Sequence, residues 1–204
     1  MFGDIRDKIG SLEPVFNESL FTQGNGMDKI EIDPARKYTD YTDRELKSFA
    51  DRLWGVEARK VTGAEAKYIL IGIKLEGNNQ TYETKFLRGF DLTPFSHSVI
   101  GEVFLGTLRD AIGKYFDIGT DWPEEGKGLN ARTVPDIVFE KDGMKLTVTG
   151  IGGGKYNLRN GKLNVYGKSL DFGPVPKSHH DQLRELLGSL VQKQPFQGYE
   201  VNME

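Results

Sequence analysis

The chain contains no cysteine. That absence removes disulfides, thiolate zinc centres and cysteine nucleophiles from consideration. Histidine is scarce as well, with only His97, His179 and His180, too few for a histidine-rich metal site. No apolar run approaches the roughly 20 residues that a membrane-spanning helix needs. The longest, Tyr68-Ile69-Leu70-Ile71-Gly72-Ile73, has the length of a strand. Positive charge is not in excess: the formal net charge is -3. Bulk attraction to nucleic acid is therefore not expected, although a local cluster of cations can still hold an anion. The opening Met1-Phe2-Gly3-Asp4-Ile5-Arg6-Asp7 lacks the apolar core of a secretion signal, and Asp4, Asp7 and Glu13 are foreign to a transit peptide. A cytoplasmic location is the resulting expectation. With 37% hydrophobic and 28% charged residues over 204 positions, the composition suits one globular domain with attachments.

Residues 1–66 read as an N-terminal extension. Its first 37 residues are expected to wrap the domain or reach beyond it, with a short helix near 4–12 and a turn at Gly24-Asn25-Gly26. Thr42 and Glu45 form a capping box ahead of Leu46, Phe49, Ala50, Leu53 and Trp54, which predicts a helix over 43–54 that Gly55 ends. From Lys67 the pattern changes. Lys67–Leu75 and Thr81–Leu87 read as two strands around a Gly77-Asn78-Asn79 turn. Thr93-Pro94 opens a long helix to about 114, with Val99, Ile100, Val103, Phe104, Leu108, Ala111 and Ile112 as its buried face. Residues 117–136 read as a loop. Ile137–Glu140 and Lys145–Thr149 flank a hairpin turn at Lys141-Asp142-Gly143. Leu163–Gly167 is a further strand, Ser178 is expected to cap a helix over about 179–192, and Tyr199-Glu200-Val201 is a last short strand. Strands interspersed with amphipathic helices predict an α+β domain over 67–204, a mixed sheet with helices on both faces.

Several positions carry chemistry, each beside a plainer reading. His97 lies near the start of the long helix, where the positive end of the dipole disfavours imidazolium. A neutral imidazole there could activate water or attack phosphorus; the plainer reading is a capping or partly buried histidine. Lys67 and Arg88 stand at strand ends and could bind phosphoryl oxygens, or be ordinary solvated cations. Gly152-Gly153-Gly154-Lys155 lacks the spacing of a phosphate-binding P-loop, with Tyr156 in the hydroxyl position. Nucleotide binding is not expected, and a bulge or strand break is the alternative. Ser169-Leu170-Asp171 could present amides to an anion or make a simple turn. His179 and His180, about 100° apart on a helix, cannot chelate together and are expected to be exposed.

Four segments resemble the Janus/Ocnus family, the small phosphohistidine phosphatases. They are Lys67-Tyr68-Ile69-Leu70-Ile71; Leu87-Arg88-Gly89-Phe90, with His97 after a short gap; Gly152-Gly153-Gly154-Lys155; and Val165-Tyr166-Gly167-Lys168-Ser169-Leu170-Asp171-Phe172-Gly173-Pro174. Tyr199-Glu200-Val201 adds a fifth. The order runs over 67–204, with extra sequence at about 115–145. Lys155 stands where the family usually has arginine, Ser96 where it often has tyrosine, and Asp171 where a small residue is usual. The resemblance implies a phosphohistidine-phosphatase-like sandwich acting on N-linked phosphoryl groups of a phosphorylated protein, without metal or other cofactor. It implies His97 as base or nucleophile and Lys67, Arg88, Lys155 and the amides of Ser169 and Asp171 as phosphate ligands. The departures, and the added surface of 1–66, keep open a catalytically inactive member that serves as a structural subunit, with the extension contacting a protein partner.

Overall fold

Three two-residue turns set the strand pairing. Asn78-Asn79, Asp142-Gly143 and Asn160-Gly161 all have positive φ at both positions, the geometry of a tight hairpin turn whose twist matches that of its strands. A computed structural model describes residues 1–12, 66–90, 97–119, 122, 136–192 and 197–204. The helix expected over 43–54 and the Thr93-Pro94 helix opening lie outside these residues.

The elements in chain order are α1 (Phe2–Gly10), β1 (Ala66–Gly77), β2 (Gln80–Phe90), α2 (His97–Ile112), β3 (Ile137–Lys141), β4 (Met144–Arg159), β5 (Lys162–Tyr166), α3 (His180–Leu190) and β6 (Glu200–Met203). The six strands form one mixed sheet in the order β2-β1-β4-β5-β6, with β3 also pairing β4. All pairs are antiparallel except β5 with β6. The fold is thus α+β, as the sequence predicts.

Strand β4 organises the sheet. One edge runs along β1 from Lys145 to Tyr156. The other edge is shared: β3 takes Met144–Val148 and β5 takes Lys155–Arg159. The strand read at 145–149 therefore does not end there, and the glycine run is not a break. It continues through Gly152–Gly154 to Arg159, with a register shift opposite Leu70/Ile71 that leaves Ile151 as the extra residue of a bulge. The region expected to be an insertion contributes β3 and the start of β4 to this sheet.

Ile69, Leu70 and Ile71 are consecutive and all at 0% exposure. Successive side chains of a strand point to opposite faces, so both faces of the sheet centre are covered. Phe86 and Arg88 of β2 meet Phe104 of α2, which places α2 on that face. Lys85 of β2, on the opposite face, bonds Gln182 of α3. The apolar positions of β5, Leu163 and Val165, share that second face with the α3 leucines in one core. Helix α2 buries Ile100, Phe104, Leu105, Leu108 and Ile112, a helical stripe, and the chain turns away at Gly113.

Helix α1 presents Phe2, Ile5 and Ile9 on one face, all buried in this core, and it contacts α2. Each such side chain contributes about 1.5–3 kcal/mol on burial, which holds a nine-residue helix too short to be stable alone. The first residues of the extension thus wrap the domain. At the other end, Ser178 does not cap α3: residues Lys177–His179 form a 3-10 turn, and the cap position is His179, without a side-chain bond. His179 and His180 are half-buried rather than exposed, bonding Gln182 and the Val175 carbonyl.

Candidate active site

His97 is the first described residue of α2 and is 5% exposed. Its Nε2 lies 2.9 Å from the Gly154 carbonyl oxygen. A carbonyl only accepts, so Nε2 carries the proton and donates, and Nδ1 holds the lone pair of the neutral ring.

Two cations stand near the imidazole. Lys67 of β1 and Lys155 of β4 are direct cross-strand partners, and both act electrostatically on His97. Two lysines opposite one another on neighbouring strands concentrate positive charge on this face. Arg88 stands one diagonal step away on the same face, since its partner Ile69 follows Lys67 by two residues. It is 8% exposed, and its guanidinium lies 5.6 Å from the Phe86 ring centre and 5.1 Å from that of Phe104. Those rings hold it by cation–π attraction.

Burial is the main reason that the His97 imidazole is harder to protonate than an ordinary histidine, with its pKa pushed below 6.5. The Gly154 bond and Asp171 oppose the shift, and Lys67 and Lys155 add to it. The expected consequence is a His97 resonance that titrates with a midpoint below 6.5 in an NMR pH series; a midpoint at or above 6.5 would contradict this environment. Between the two pKa values the unfolded chain binds the extra proton. The stability linked to His97 is therefore fully present above 6.5 and is lost as pH falls toward the lower folded value.

The turn over residues 169–173 docks in the gap between β3 and β5. The Ser169 amide donates to Gly153 (2.8 Å) and to Gly173 (3.3 Å), and the Gly153 amide donates back to Gly173 (3.0 Å). Ser169 Oγ, 2% exposed, accepts from the amides of Asp171 (3.1 Å) and Phe172 (3.0 Å). Both amides read as phosphate donors thus donate within the chain. What Ser169 does is aim Asp171: its Oδ2 accepts the Ser98 amide of α2 at 2.9 Å, next to His97. The structure therefore brings together His97, Lys67, Lys155 and Asp171, keeps Arg88 one step off, and sets Ser169 behind them as a turn former.

Three features went unread in the sequence. Glu102, 5% exposed, accepts the Trp122 backbone amide at 3.3 Å. Trp122 packs edge-on to Phe172, with ring centres 5.2 Å apart, and so backs the Asp171 turn. Glu102 lies five positions after His97, but only the fold shows that it is buried. The third feature is a row of hydrogen-bonded asparagines ending at Tyr166. Among the described residues, no three His, Asp or Glu side chains converge as a metal site.

The class that fold and site define is an α+β domain with a neutral, carbonyl-anchored histidine near two lysines of a mixed sheet. The Janus/Ocnus family model matches residues 55–194, and the chain belongs to that family. The matched span opens upstream of Lys67 and closes before Tyr199-Glu200-Val201. Searches of curated proteins and of solved structures returned no match.

Proposed function

We propose that the chain hydrolyses N-linked phosphoryl groups on proteins, as a phosphohistidine phosphatase with a phosphohistidine-phosphatase-like sandwich fold, and needs no metal ion to do so. The observation that carries this reading is His97 held by the Gly154 carbonyl near the cross-strand pair Lys67 and Lys155. With Nε2 donating, Nδ1 can take a proton from water attacking phosphorus. The new O–P bond forms as the P–N bond breaks, and the proton ends on the departing nitrogen. Alternatively Nδ1 attacks phosphorus itself, giving a phosphohistidine on the chain that water then cleaves. Lys67 and Lys155 bind the phosphoryl oxygens, and Arg88 supports them. The P–N bond is labile, so a base and cationic oxygen ligands suffice. The test is hydrolysis of a phosphohistidine peptide in EDTA by wild type and by His97→Ala. Acid-labile phosphate trapped on the chain marks the nucleophilic route, and its absence during turnover marks the base route.

One observation favours a second reading, an inactive member serving as a subunit. Asp171 places a carboxylate on the first described turn of α2, where a bound phosphate would meet it. Replacing Asp171 with Asn keeps a hydrogen-bond acceptor for Ser98 and removes the charge. Phosphate affinity is expected to rise about tenfold, the size of one like-charge interaction at a partly screened site. Calorimetric titration with inorganic phosphate measures it. Unchanged or weaker binding would show that Asp171 does not oppose the anion.

A further inference from the structure

The face that carries Lys67 and Lys155 does not end there. Tyr166 of β5 is the cross-strand partner of Lys155, and beyond it Asn164 pairs with Asn157 and Lys162 with Arg159. Alternation along β4 puts Lys155, Asn157 and Arg159 on one face. A directional row of hydrogen bonds crosses three strands on this face. Asn202 Nδ2 donates to Asn164 Oδ1 (2.9 Å), Asn164 Nδ2 to Asn157 Oδ1 (3.0 Å), and Asn157 Nδ2 to Tyr166 Oη (3.1 Å). Asn157, Asn164 and Tyr166 of this row, with Arg159, Lys162 and Glu204, line an open cleft of about 570 Å³. A side-chain amide has two donor hydrogens and the row uses one, so Asn157, which lines the cleft, keeps an N–H to offer a visitor. The polar face has a cause: α2 covers the sheet over β1 and β2, which it contacts, while the apolar side chains of β5 point to the α3 face.

We propose that this cleft docks the polypeptide substrate, taking an extended acidic segment beside the phosphorylated residue. The occupant follows from charge. In a chain of net charge -3, this strip gathers Lys67, Lys155, Arg159 and Lys162, against Asp171 beside His97, Glu204 in the cleft and Glu200 beside Lys162. It follows also from shape, because an extended backbone matches donors repeated along a row of strands. Lys155 and Arg159 are four residues apart on β4, about 13 Å. A segment with its phosphoryl group at His97 therefore presents acids about three to five residues away to Arg159 and Lys162. Docking of the phosphoresidue itself rests on the phosphatase reading; the acidic preference of the cleft does not.

Peptides bearing a phosphonate-triazole analogue of phosphohistidine separate the two. One carries Glu three to five residues from the analogue, one Gln and one Lys, and each is made also without the phosphonate. Fluorescence anisotropy at low salt should show the Glu peptide binding wild type about tenfold tighter than the Gln peptide, the yield of two exposed ion pairs. In Arg159→Glu/Lys162→Glu the preference should swap to the Lys peptide, a gain that a damaged fold cannot mimic. A Glu preference that persists without the phosphonate supports the cleft even if the phosphatase reading fails. Equal affinity for Glu and Gln peptides overturns the docking proposal. Phosphonate-dependent binding of both would then still support the phosphatase reading. Self-association that the double variant abolishes, or an oligonucleotide binding as tightly as the Glu peptide, also overturns it.

Discussion

Replacing His97 with alanine is expected to lower phosphohistidine hydrolysis by about 10²–10⁴-fold, the usual contribution of a positioned acid–base group. The expectation rests on three features of one side chain. The ring is nearly enclosed, so its lone pair is not occupied by bulk water. Burial holds it neutral at physiological pH, so that lone pair is present without prior deprotonation. The Gly154 carbonyl fixes which nitrogen bears it. A glutamine at 97 would keep a donor for Gly154 and lose the base, so His97→Gln should be as inactive as His97→Ala while better preserving the fold. Single-turnover rates in EDTA, with circular dichroism of each variant, make the comparison. Free imidazole should partly restore His97→Ala and leave His97→Gln unchanged, because only alanine leaves a space. Equal rates in wild type and His97→Ala would sink the assignment. A wild type that does not cleave the substrate would sink the phosphatase reading itself.

Much of the fold was legible because its signals are local. Asn78-Asn79 and Asp142-Gly143 announce hairpins through their tolerance of positive φ, and Ile100, Phe104, Leu108 and Ile112 announce a helix through their period. Asn160-Gly161 carries the same turn signal, but the sequence ahead of it loses its strand pattern at the glycines. Glycine has no side chain to show an alternating pattern, so residues 152–154 look like a break. Their partners in β1, 82 to 86 residues earlier in the chain, and the turn at 169–173 supply the strand geometry from outside. The site is legible in the same measure. His97, Lys67 and Lys155 stand in recognisable surroundings, but the contact between Asp171 and Ser98 spans 73 residues and has no local mark. The asparagine row is an intermediate case. Polar residues at every second position of 157–159, 162–166 and 200–204 announce a wet face. That this face continues from His97 follows only from the register of Lys155 with Tyr166.

Gly153→Ala is expected to be a strongly damaging small change in the sheet. A Cβ at 153 would lie 2.4 Å from the Tyr68 carbonyl oxygen and 3.1 Å from Ile69 Cγ2. The first is a backbone atom fixed in the β1–β4 ladder and cannot rotate away. Nor can Gly153 retreat in the other direction, because its amide and carbonyl are both bonded to the 169–173 turn. Relief requires separating β4 from β1 or releasing the turn that aims Asp171. Overpacking of this kind costs about 3 kcal/mol, the upper end of the usual range, which for a chain of this size lowers Tm by roughly 6–12 °C. The same substitution at Gly188 supplies the contrast. A Cβ there meets nothing within 4 Å, and Gly188 lies inside α3. Alanine is a better helix former than glycine by about 0.8–1 kcal/mol, so Gly188→Ala should raise Tm by roughly 2–4 °C. Thermal unfolding of the two variants beside wild type decides it. Shifts of opposite sign are the expected result; a Gly153→Ala protein that melts with wild type would mean that the strands at the glycine run are not packed in contact. Because Gly153 holds the turn that carries Asp171, the variant that survives at low temperature should also bind inorganic phosphate differently from wild type, whereas Gly188→Ala, on the opposite face, should bind it unchanged.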